Sequence, residues 1–265
     1  MNKQDYEYRD LMAKTWDLLR GDTTNWPDRF IFRDHIQTYG QPVLDVGCGT
    51  GRLLLDYMAD GMDIDGVDIS PEMLALCSEK AEKLGLKPNL YHQEMEALDL
   101  PRKYRTIIVP SSSFQLVLDP KDAAAVMTRF FDHLLPGGVL IMPFGIEDFI
   151  VNWKAGDPIE RDAILLQQAT DPETGLTYHR WASDWFDLEK QLEHTENRYD
   201  VLQDGEIIAS EAHIRSPATR WYTQRQAEQL YRDAGLTHLQ IFRGFEHVPA
   251  EPGDTIFSIL GEKAT

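Results

Sequence analysis

The stretch Leu44-Asp45-Val46-Gly47-Cys48-Gly49-Thr50-Gly51-Arg52 decides the fold of this chain. An apolar run at 42–44 precedes it, and a helix-like run follows at 52–59. Alternate glycines let the backbone take positive φ values and let a ligand approach the bare main chain. A helix that starts behind such a turn presents unpaired N–H groups and the positive end of its dipole. The stretch therefore predicts a strand–turn–helix unit that binds a nucleotide-type ligand.

The spacing of the glycines separates two kinds of nucleotide site. A dinucleotide fingerprint, Gly-x-Gly-x-x-Gly, that began at Gly47 would need a third glycine where the chain has Arg52. The chain instead places Asp45 two residues before the first of three alternate glycines. Asp45 could hold the loop through its backbone N–H groups, or bind an ammonium group through water. Asp68 ends a second predicted strand about 20 residues after Gly47, the spacing expected of an acid that binds ribose hydroxyls.

At this point the chain resembles the class I S-adenosylmethionine-dependent methyltransferases. Three stretches carry the resemblance in the family's order: 43–52, 66–74 (Gly-Val-Asp-Ile-Ser-Pro-Glu-Met-Leu) and 135–140 (Leu-Pro-Gly-Gly-Val-Leu). The resemblance implies an α/β, Rossmann-like fold with a doubly wound, mostly parallel seven-stranded sheet. It also implies S-adenosyl-L-methionine as cofactor and S-adenosyl-L-homocysteine as product. The chain departs from the family's usual Gly-Asp after the third strand, where it has Gln93-Glu94.

The same resemblance implies roles for individual residues. The glycine loop would hold the methionine part of the cofactor and Asp68 its ribose, while Glu94 would meet the adenine amino group with Met95 against the ring. Plainer roles stay open: Glu94 as a surface carboxylate, Met73 and Met95 as core residues, and Cys48 as a small filler. The cofactor-contacting residues expected from the resemblance are Asp45, Gly47, Cys48, Gly49, Gly51, Arg52, Asp68, Ile69, Met73, Glu94, Met95, Pro110 and Ser111.

The loop 110–115 after the fourth predicted strand narrows the choice of acceptor. Ligands of open α/β sheets bind beyond the carboxyl ends of the strands, where the strand order reverses, so this loop is expected near the transferred methyl. It lacks the Asn/Asp-Pro-Pro-Tyr of many DNA and protein nitrogen methyltransferases and the Pro-Cys of cytosine C5 enzymes. We expect in-line transfer to the nitrogen or oxygen of a small molecule, with no catalytic base assigned. Candidate acceptor-pocket residues are Trp16, Trp26, Ser113, Phe114 and Tyr222.

Composition limits the partners and the surroundings of the chain. A net charge of −18 opposes binding to nucleic acid, whose affinity comes largely from Lys and Arg contacts. No apolar run approaches the roughly 18 residues that a membrane span needs, and no secretory signal is visible. Two cysteines are too few for a disulfide framework, and no spacing of His, Cys or acidic residues suggests a metal site. These features predict a cytoplasmic, metal-independent protein without a membrane partner.

The pattern along the chain predicts one methyltransferase domain over 1–265, with an N-terminal helical lid at 1–40 and an inserted antiparallel β segment at 146–216. Within the insert, Asp204-Gly205 predicts a two-residue hairpin turn. That turn would place Arg198 opposite Glu211, Glu196 opposite His213 and Val201 opposite Ile208. His213 is then either a general base or one half of a solvated cross-strand pair. The exposed insert is also a candidate homodimer contact.

Two other functions stay open at this stage. A nicotinamide-dependent oxidoreductase would share the fold, but Arg52 stands where its third glycine belongs. A non-catalytic protein could bind S-adenosylmethionine without turnover. A measurement of methyl transfer distinguishes such a binding protein from a methyltransferase.

Overall fold

The computed structural model describes residues 8–154 and 159–265. The chain forms two compact units. The first takes the N-terminal part up to Thr23 together with Lys154–Arg220, and the second takes Thr24–Trp153 together with Trp221–Thr265. Parts of the predicted lid (1–7) and of the predicted insert (155–158) lie outside the described residues.

The described helices are α1 (Asp10–Arg20), α2 (Pro27–Tyr39), α3 (Leu54–Ala59), α4 (Pro71–Leu84), α5 (Pro120–His133), α6 (Asp148–Asn152) and α7 (Gln224–Asp233). The strands are β1 (Val43–Val46), β2 (Ile64–Asp68), β3 (Leu90–His92), β4 (Tyr104–Ile108), β5 (Leu134–Gly145), β6 (Glu160–Thr170), β7 (Thr177–Asp187), β8 (Leu192–Gln203), β9 (Glu206–Arg220), β10 (Thr237–Arg243) and β11 (Ile256–Glu262). No helix in the described ranges is long and apolar enough to span a membrane.

The second unit is built on a seven-stranded sheet with the order β10-β11-β5-β4-β1-β2-β3. All neighbouring strands run parallel except β11, which is antiparallel to both β5 and β10. From β1 the chain first adds β2 and β3 on one side and then β4 and β5 on the other. The strand order therefore reverses between β1 and β4, where a doubly wound sheet binds its ligand. The predicted fold class is confirmed.

The central strands are buried on both faces, which explains their continuous apolar runs. On one face, Val126 and Phe130 of α5 and Tyr231 of α7 pack into one apolar cluster. On the other face, Ile36 of α2 and Leu54 of α3 belong to a second cluster. The strands are thus fixed by packing, which leaves the loops at their carboxyl ends to carry the site.

Local capping signals set the helices that flank the sheet. The Ser70 side chain accepts a hydrogen bond from the Met73 N–H, Pro71 starts α4, and Gly85 ends it in the left-handed conformation. Thr223 and Gln226 form the capping box of α7 that the sequence Thr-Gln-Arg-Gln at 223–226 indicates. Each of these helix ends is visible in the sequence, because caps depend only on residues within one turn of the helix end.

The first unit contains the inserted layer, a four-stranded antiparallel sheet with the order β6-β7-β8-β9. Helix α1 belongs to the same unit: the Leu11 N–H donates to the Glu211 carboxylate, and the Gln167 amide donates to the Leu19 carbonyl. The predicted antiparallel layer is confirmed.

The hairpin turn at Asp204-Gly205 forms as predicted, since both residues have positive φ values and join β8 to β9. The predicted register is wrong beyond the first two pairs. A bulge between Val201 and Leu202 shifts the pairing by one residue, so Arg198 lies opposite Ala212, Glu196 opposite Ile214 and Val201 opposite Ala209. A bulge inserts one unpaired residue in one strand, and the turn sequence alone does not reveal it.

Tyr231 offers a test of the packing between α7 and the sheet. Its buried hydroxyl donates to the Ile259 carbonyl at 2.8 Å. Tyr231→Phe should lower the free energy of unfolding by about 1–2 kcal/mol, because a buried hydrogen bond is lost without replacement. Urea unfolding followed by circular dichroism measures the change.

Tyr39→Phe is the matched control, because the Tyr39 hydroxyl lies at the surface, where it accepts a 3.3 Å hydrogen bond from the Gln240 amide. Its effect should stay below about 0.5 kcal/mol. Equal effects of the two variants would contradict the assigned role of Tyr231.

Candidate functional site

The glycine loop after β1 bends sharply under the start of α3. Gly47 and Gly51 have φ values of +73° and +83°. A Cβ built at Gly47 would lie 2.8 Å from the Ser113 Oγ atom, and one built at Gly51 would lie 2.6 Å from the Cys77 Sγ atom. Any larger residue would strain the backbone and collide with its neighbours, so glycine is required at both positions.

Asp68 connects this loop to the end of β2. Its carboxylate accepts hydrogen bonds from the Gly49 N–H and the Ser70 N–H, both at 2.8 Å. The side chain is 7% exposed. Burial raises the pKa of Asp68, and the hydrogen bonds from Ser70 and Gly49 oppose that shift. The carboxylate therefore faces the glycine loop, as a ribose-binding acid must.

Asp45 lies in β1 directly before the loop and is almost fully buried. Burial raises its pKa to about 7, while the charge of Arg52 and a hydrogen bond from the Leu54 N–H lower it. The Asp45 Oδ1 atom is buried and has no hydrogen-bond partner among the described residues. A buried carboxyl oxygen without a donor is costly, and a ligand ammonium group would supply that donor.

Arg52, at the end of the loop, is held by Asp28. Its Nη1 atom donates to Asp28 Oδ1 at 3.0 Å, and its Nη2 atom contacts Asp28 Oδ2. The ring of Trp26 lies 5.0 Å from the guanidinium carbon. Trp26 and Arg52 were expected at the site from the sequence, whereas Asp28 was not, because Asp28 and Arg52 are 24 residues apart and no local pattern connects them.

The remaining expected cofactor residues lie in varied surroundings. Met73 is buried in the first turn of α4, with its Cε atom 3.4 Å from a Cβ built at Gly49. Cys48 is buried inside the loop, and burial raises the pKa of its thiol well above the usual value, which favours the filler role. Ile69 and Glu94 are exposed, while Met95 is half-buried against the core.

The loop after β4 meets the glycine loop at the point where the strand order reverses. The Ser113 side chain packs directly over Gly47, and its hydroxyl donates to the Pro110 carbonyl at 2.7 Å. Ser111 and Ser112 both have φ values of +55°. The structure thus brings Pro110, Ser111 and Ser113 together with the loop after β1.

Buried contacts fix the loop after β4 to the core of the second unit. Phe114 is fully buried, and its ring lies 5.9 Å from the rings of both Phe144 and Tyr222. The Gln115 amide group donates to the Gly145 carbonyl at 3.0 Å and accepts from the Gly145 N–H at 2.7 Å. The sequence places Gln115 in this loop but gives no sign of its bonds to Gly145, because the two residues are 30 positions apart. Phe114 supports the loop through packing in the core.

Two candidate residues lie in the first unit. Trp16 on α1 packs edge-on against Tyr8 at 4.8 Å, with the Arg20 guanidinium carbon 3.8 Å from the centre of its ring. His213 is buried and contacts the Glu211 carboxylate on its own strand. The predicted solvated pair of His213 with Glu196 is therefore wrong, because the bulge at Ile208 in β9 places His213 opposite Asn197.

These groups fit a nucleoside that carries an amino-acid tail. The glycine loop offers bare main chain, Asp68 offers carboxylate oxygens beside it, and Asp45 offers an unsatisfied buried oxygen suited to an ammonium group. Within the described ranges, no group of three or more His, Cys, Asp or Glu side chains is arranged to hold a metal ion.

Comparisons with known proteins agree with this geometry. A family model described as a methyltransferase domain matches residues 43–138. The dTDP-3-amino-3,6-dideoxy-alpha-D-glucopyranose N,N-dimethyltransferase of Streptomyces fradiae is 30% identical over 198 residues, which cover 74% of this chain and 69% of that protein. A crystal structure of an S-adenosylmethionine-dependent methyltransferase from Clostridium acetobutylicum is similar in fold, with a TM-score of 0.73, 20% identity and coverage of 95% of this chain and 97% of that one.

A third similar protein was solved with its cofactor. It is the SAM-bound amino pentose methyltransferase CalS10 from Micromonospora echinaspora. The two structures have a TM-score of 0.66 and 20% sequence identity, and the match covers 97% of this chain and 99% of the CalS10 chain. These matches set aside the nicotinamide-dependent oxidoreductase and the non-catalytic binding protein that the sequence left open. The cofactor is S-adenosyl-L-methionine, and the chain belongs to the class I S-adenosylmethionine-dependent methyltransferases.

Proposed function

We propose that this enzyme methylates an amine nitrogen of a small molecule, and that the acceptor is an amino sugar or a similar polyhydroxylated amine. The observation that carries the proposal is the composition of the loop over Gly47. Residues 110–116 (Pro-Ser-Ser-Ser-Phe-Gln-Leu) contain no titratable side chain. A neutral amine already has its nucleophilic lone pair, whereas a hydroxyl acceptor needs a base to remove its proton. Such a loop suits nitrogen better than oxygen.

The names of similar proteins support this choice of acceptor. The Streptomyces fradiae relative acts on a nucleotide-linked amino sugar, and the Micromonospora protein is named for an amino pentose. A second relative, from Streptomyces venezuelae, is 30% identical over 122 residues and is also an N,N-dimethyltransferase of a dTDP-linked amino sugar. This chain spans only half the length of that relative.

In the proposed site, Asp68 binds the ribose hydroxyls, and Asp45 binds the ammonium group of the methionine part. Asp68 keeps this capacity because a carboxylate oxygen can accept more than one hydrogen bond. The glycine loop contacts the cofactor through its main chain, with Met73 behind it. Glu94, exposed after β3, is proposed to reach the adenine amino group, with Met95 beside the ring.

The cofactor supplies an electrophilic methyl group on a sulfonium, which leaves little covalent chemistry to the protein. The role of the chain is to hold the acceptor nitrogen in line with the carbon–sulfur bond and to limit water, and positioning of this kind can lower a barrier by several kcal/mol. The proton of the methylated amine then passes to solvent. We propose that the transfer needs no metal ion.

The inserted sheet and the N-terminal segment keep their predicted roles as proposals. Both edge strands of the insert expose apolar side chains, Ile164 and Leu166 on β6 and Ile207 and Ile208 on β9, which supports a homodimer contact there. The lid role of 1–40, the lack of a nucleic-acid partner and the cytoplasmic location stay predictions.

Asp68→Ala tests the ribose contact. Hydrogen bonds to a charged group contribute about 1.5–3 kcal/mol, so the dissociation constant for S-adenosyl-L-homocysteine should rise roughly 10- to 100-fold. Isothermal titration calorimetry measures the change, and circular dichroism confirms that the variant folds. Glu79→Ala, which removes an exposed acid from α4, serves as control and should leave the constant unchanged. An unchanged constant for Asp68→Ala would refute the ribose role.

Asp45 predicts a pH dependence of cofactor binding. Its carboxyl group has a pKa of about 7, so it is a carboxylate above that pH and a neutral acid below it. Only the carboxylate pairs with an ammonium group. Affinity for S-adenosyl-L-homocysteine should therefore fall about tenfold from pH 8 to pH 6.

The control ligand is 5′-methylthioadenosine, which has no ammonium group and should bind with little change over the same range. Asp45→Asn should remove the pH dependence for S-adenosyl-L-homocysteine. Identical pH profiles for the two ligands with the unaltered enzyme would exclude Asp45 as the ammonium partner.

A panel of acceptors tests the reaction itself. Nucleotide-linked amino sugars, free amino sugars, glycine and catechols are incubated with S-adenosyl-L-methionine, and product is detected by mass spectrometry and located by NMR. We expect N-methylated amino sugar, a rate that rises with pH toward the pKa of the acceptor amine, and unchanged activity in EDTA.

The matched control acceptor carries a hydroxyl in place of the amino group and should give no product. Methyl groups on oxygen alone would refute the nitrogen assignment, and loss of activity in EDTA would refute metal independence.

A further inference from the structure

Two adjacent serines in the loop after β4 adopt a conformation that serine avoids. Ser111 and Ser112 both have φ values of +55°, and Ser112 has a ψ value of 27°. The left-handed region is unfavourable for residues with a Cβ atom, and consecutive residues in it are rarer still. Glycine would adopt the same backbone without strain. The chain nevertheless has hydroxyl-bearing side chains at both positions.

The surrounding contacts enforce this conformation. The Ser113 N–H and hydroxyl both bond to the Pro110 carbonyl, and the Gln115 N–H bonds to the Ser112 carbonyl at 2.8 Å. The Gln115 side chain forms hydrogen bonds with both the N–H and the carbonyl group of Gly145. Strained residues persist only where their surroundings fix them, and they concentrate at functional sites.

The position of Ser112 places its hydroxyl between the carboxyl ends of two strands. Its Oγ atom lies 3.8 Å from a Cβ built at Gly145, the last residue of β5, while the neighbouring Ser113 covers Gly47 after β1. The hydrogen bonds that fix the loop use the Ser113 hydroxyl, the Gln115 amide and the main chain. None of them uses the Ser112 hydroxyl, which is half-exposed.

We infer that the Ser112 hydroxyl is an acceptor-positioning group: it accepts a hydrogen bond from the N–H of the acceptor amine and so directs the nitrogen lone pair toward the transferred methyl. This inference rests on the proposed function. Serine is not a base in this role, because its hydroxyl keeps its proton. The nitrogen–carbon bond forms from the amine's own lone pair, and the electrons of the breaking carbon–sulfur bond stay on sulfur. The left-handed backbone brings the hydroxyl to that position, which explains why strain is tolerated there.

The test compares Ser112→Ala, which keeps a Cβ atom but lacks the hydroxyl, with Ser112→Gly, which also relieves the backbone. Both variants should lower kcat at least about tenfold, with the dissociation constant for S-adenosyl-L-homocysteine within about twofold of the unaltered enzyme. Ser112→Gly should melt at the same temperature or about 1–4 °C higher. The pH profile of the remaining activity should be unchanged, because no base has been removed.

His238→Gly is the matched control, since His238 also has a positive φ value (+50°) and lies exposed on β10. It should gain similar stability and keep full activity. If Ser112→Ala keeps the kcat of the unaltered enzyme, the inference is wrong, because the hydroxyl is then not needed for the reaction. This holds even if Ser112→Gly is slow, since that variant also changes the backbone. If the unaltered enzyme methylates no amine in the acceptor panel, both the proposed function and this inference are wrong.

Discussion

The hydrogen bond from the Gly49 N–H to the Asp68 carboxylate is the contact on which the site depends. It joins the loop after β1 to the end of β2, and the second oxygen of the same group accepts from the Ser70 N–H at the start of α4. A buried carboxylate requires such donors, because desolvation without them would neutralise it. One side chain therefore sets the bend of the glycine loop, the start of a helix and the place of the proposed ribose contact.

Asp45 and Asp68 are both buried acids, yet their surroundings give them different chemistry. Asp68 has main-chain donors on both oxygens, whereas the Oδ1 atom of Asp45 has none among the described residues. The charge of Arg52 lowers the pKa of Asp45, while Asp28 holds the guanidinium group in a two-bond pair. Asp28 thus leaves the Asp45 Oδ1 atom to the proposed ammonium contact, because a direct pair between Arg52 and Asp45 would fill that position.

Sequence patterns predicted what depends on neighbouring residues or on periodicity. The caps at Ser70 and Thr223, the turn at Asp204-Gly205 and the central sheet all follow from such signals. Contacts between distant residues could not be predicted in this way, as the Gln115 clamp on Gly145 illustrates. The bulge at Ile208 in β9 is different in kind: it is local, but it reflects how a strand relieves twist and packing, and it moved His213 away from its expected partner.

The strain in the loop after β4 fits the chemistry proposed for it. A site that removes a proton needs a titratable group with a suitable pKa, and residues 110–116 contain none. A site that only orients a nucleophile needs fixed geometry instead, and fixed geometry is what Gln115, Phe114 and the Ser113 hydroxyl supply. Left-handed serines would relax if these contacts were weak. Their position next to Ser113, which covers Gly47, therefore favours orientation over proton transfer as the source of selectivity in the proposed reaction.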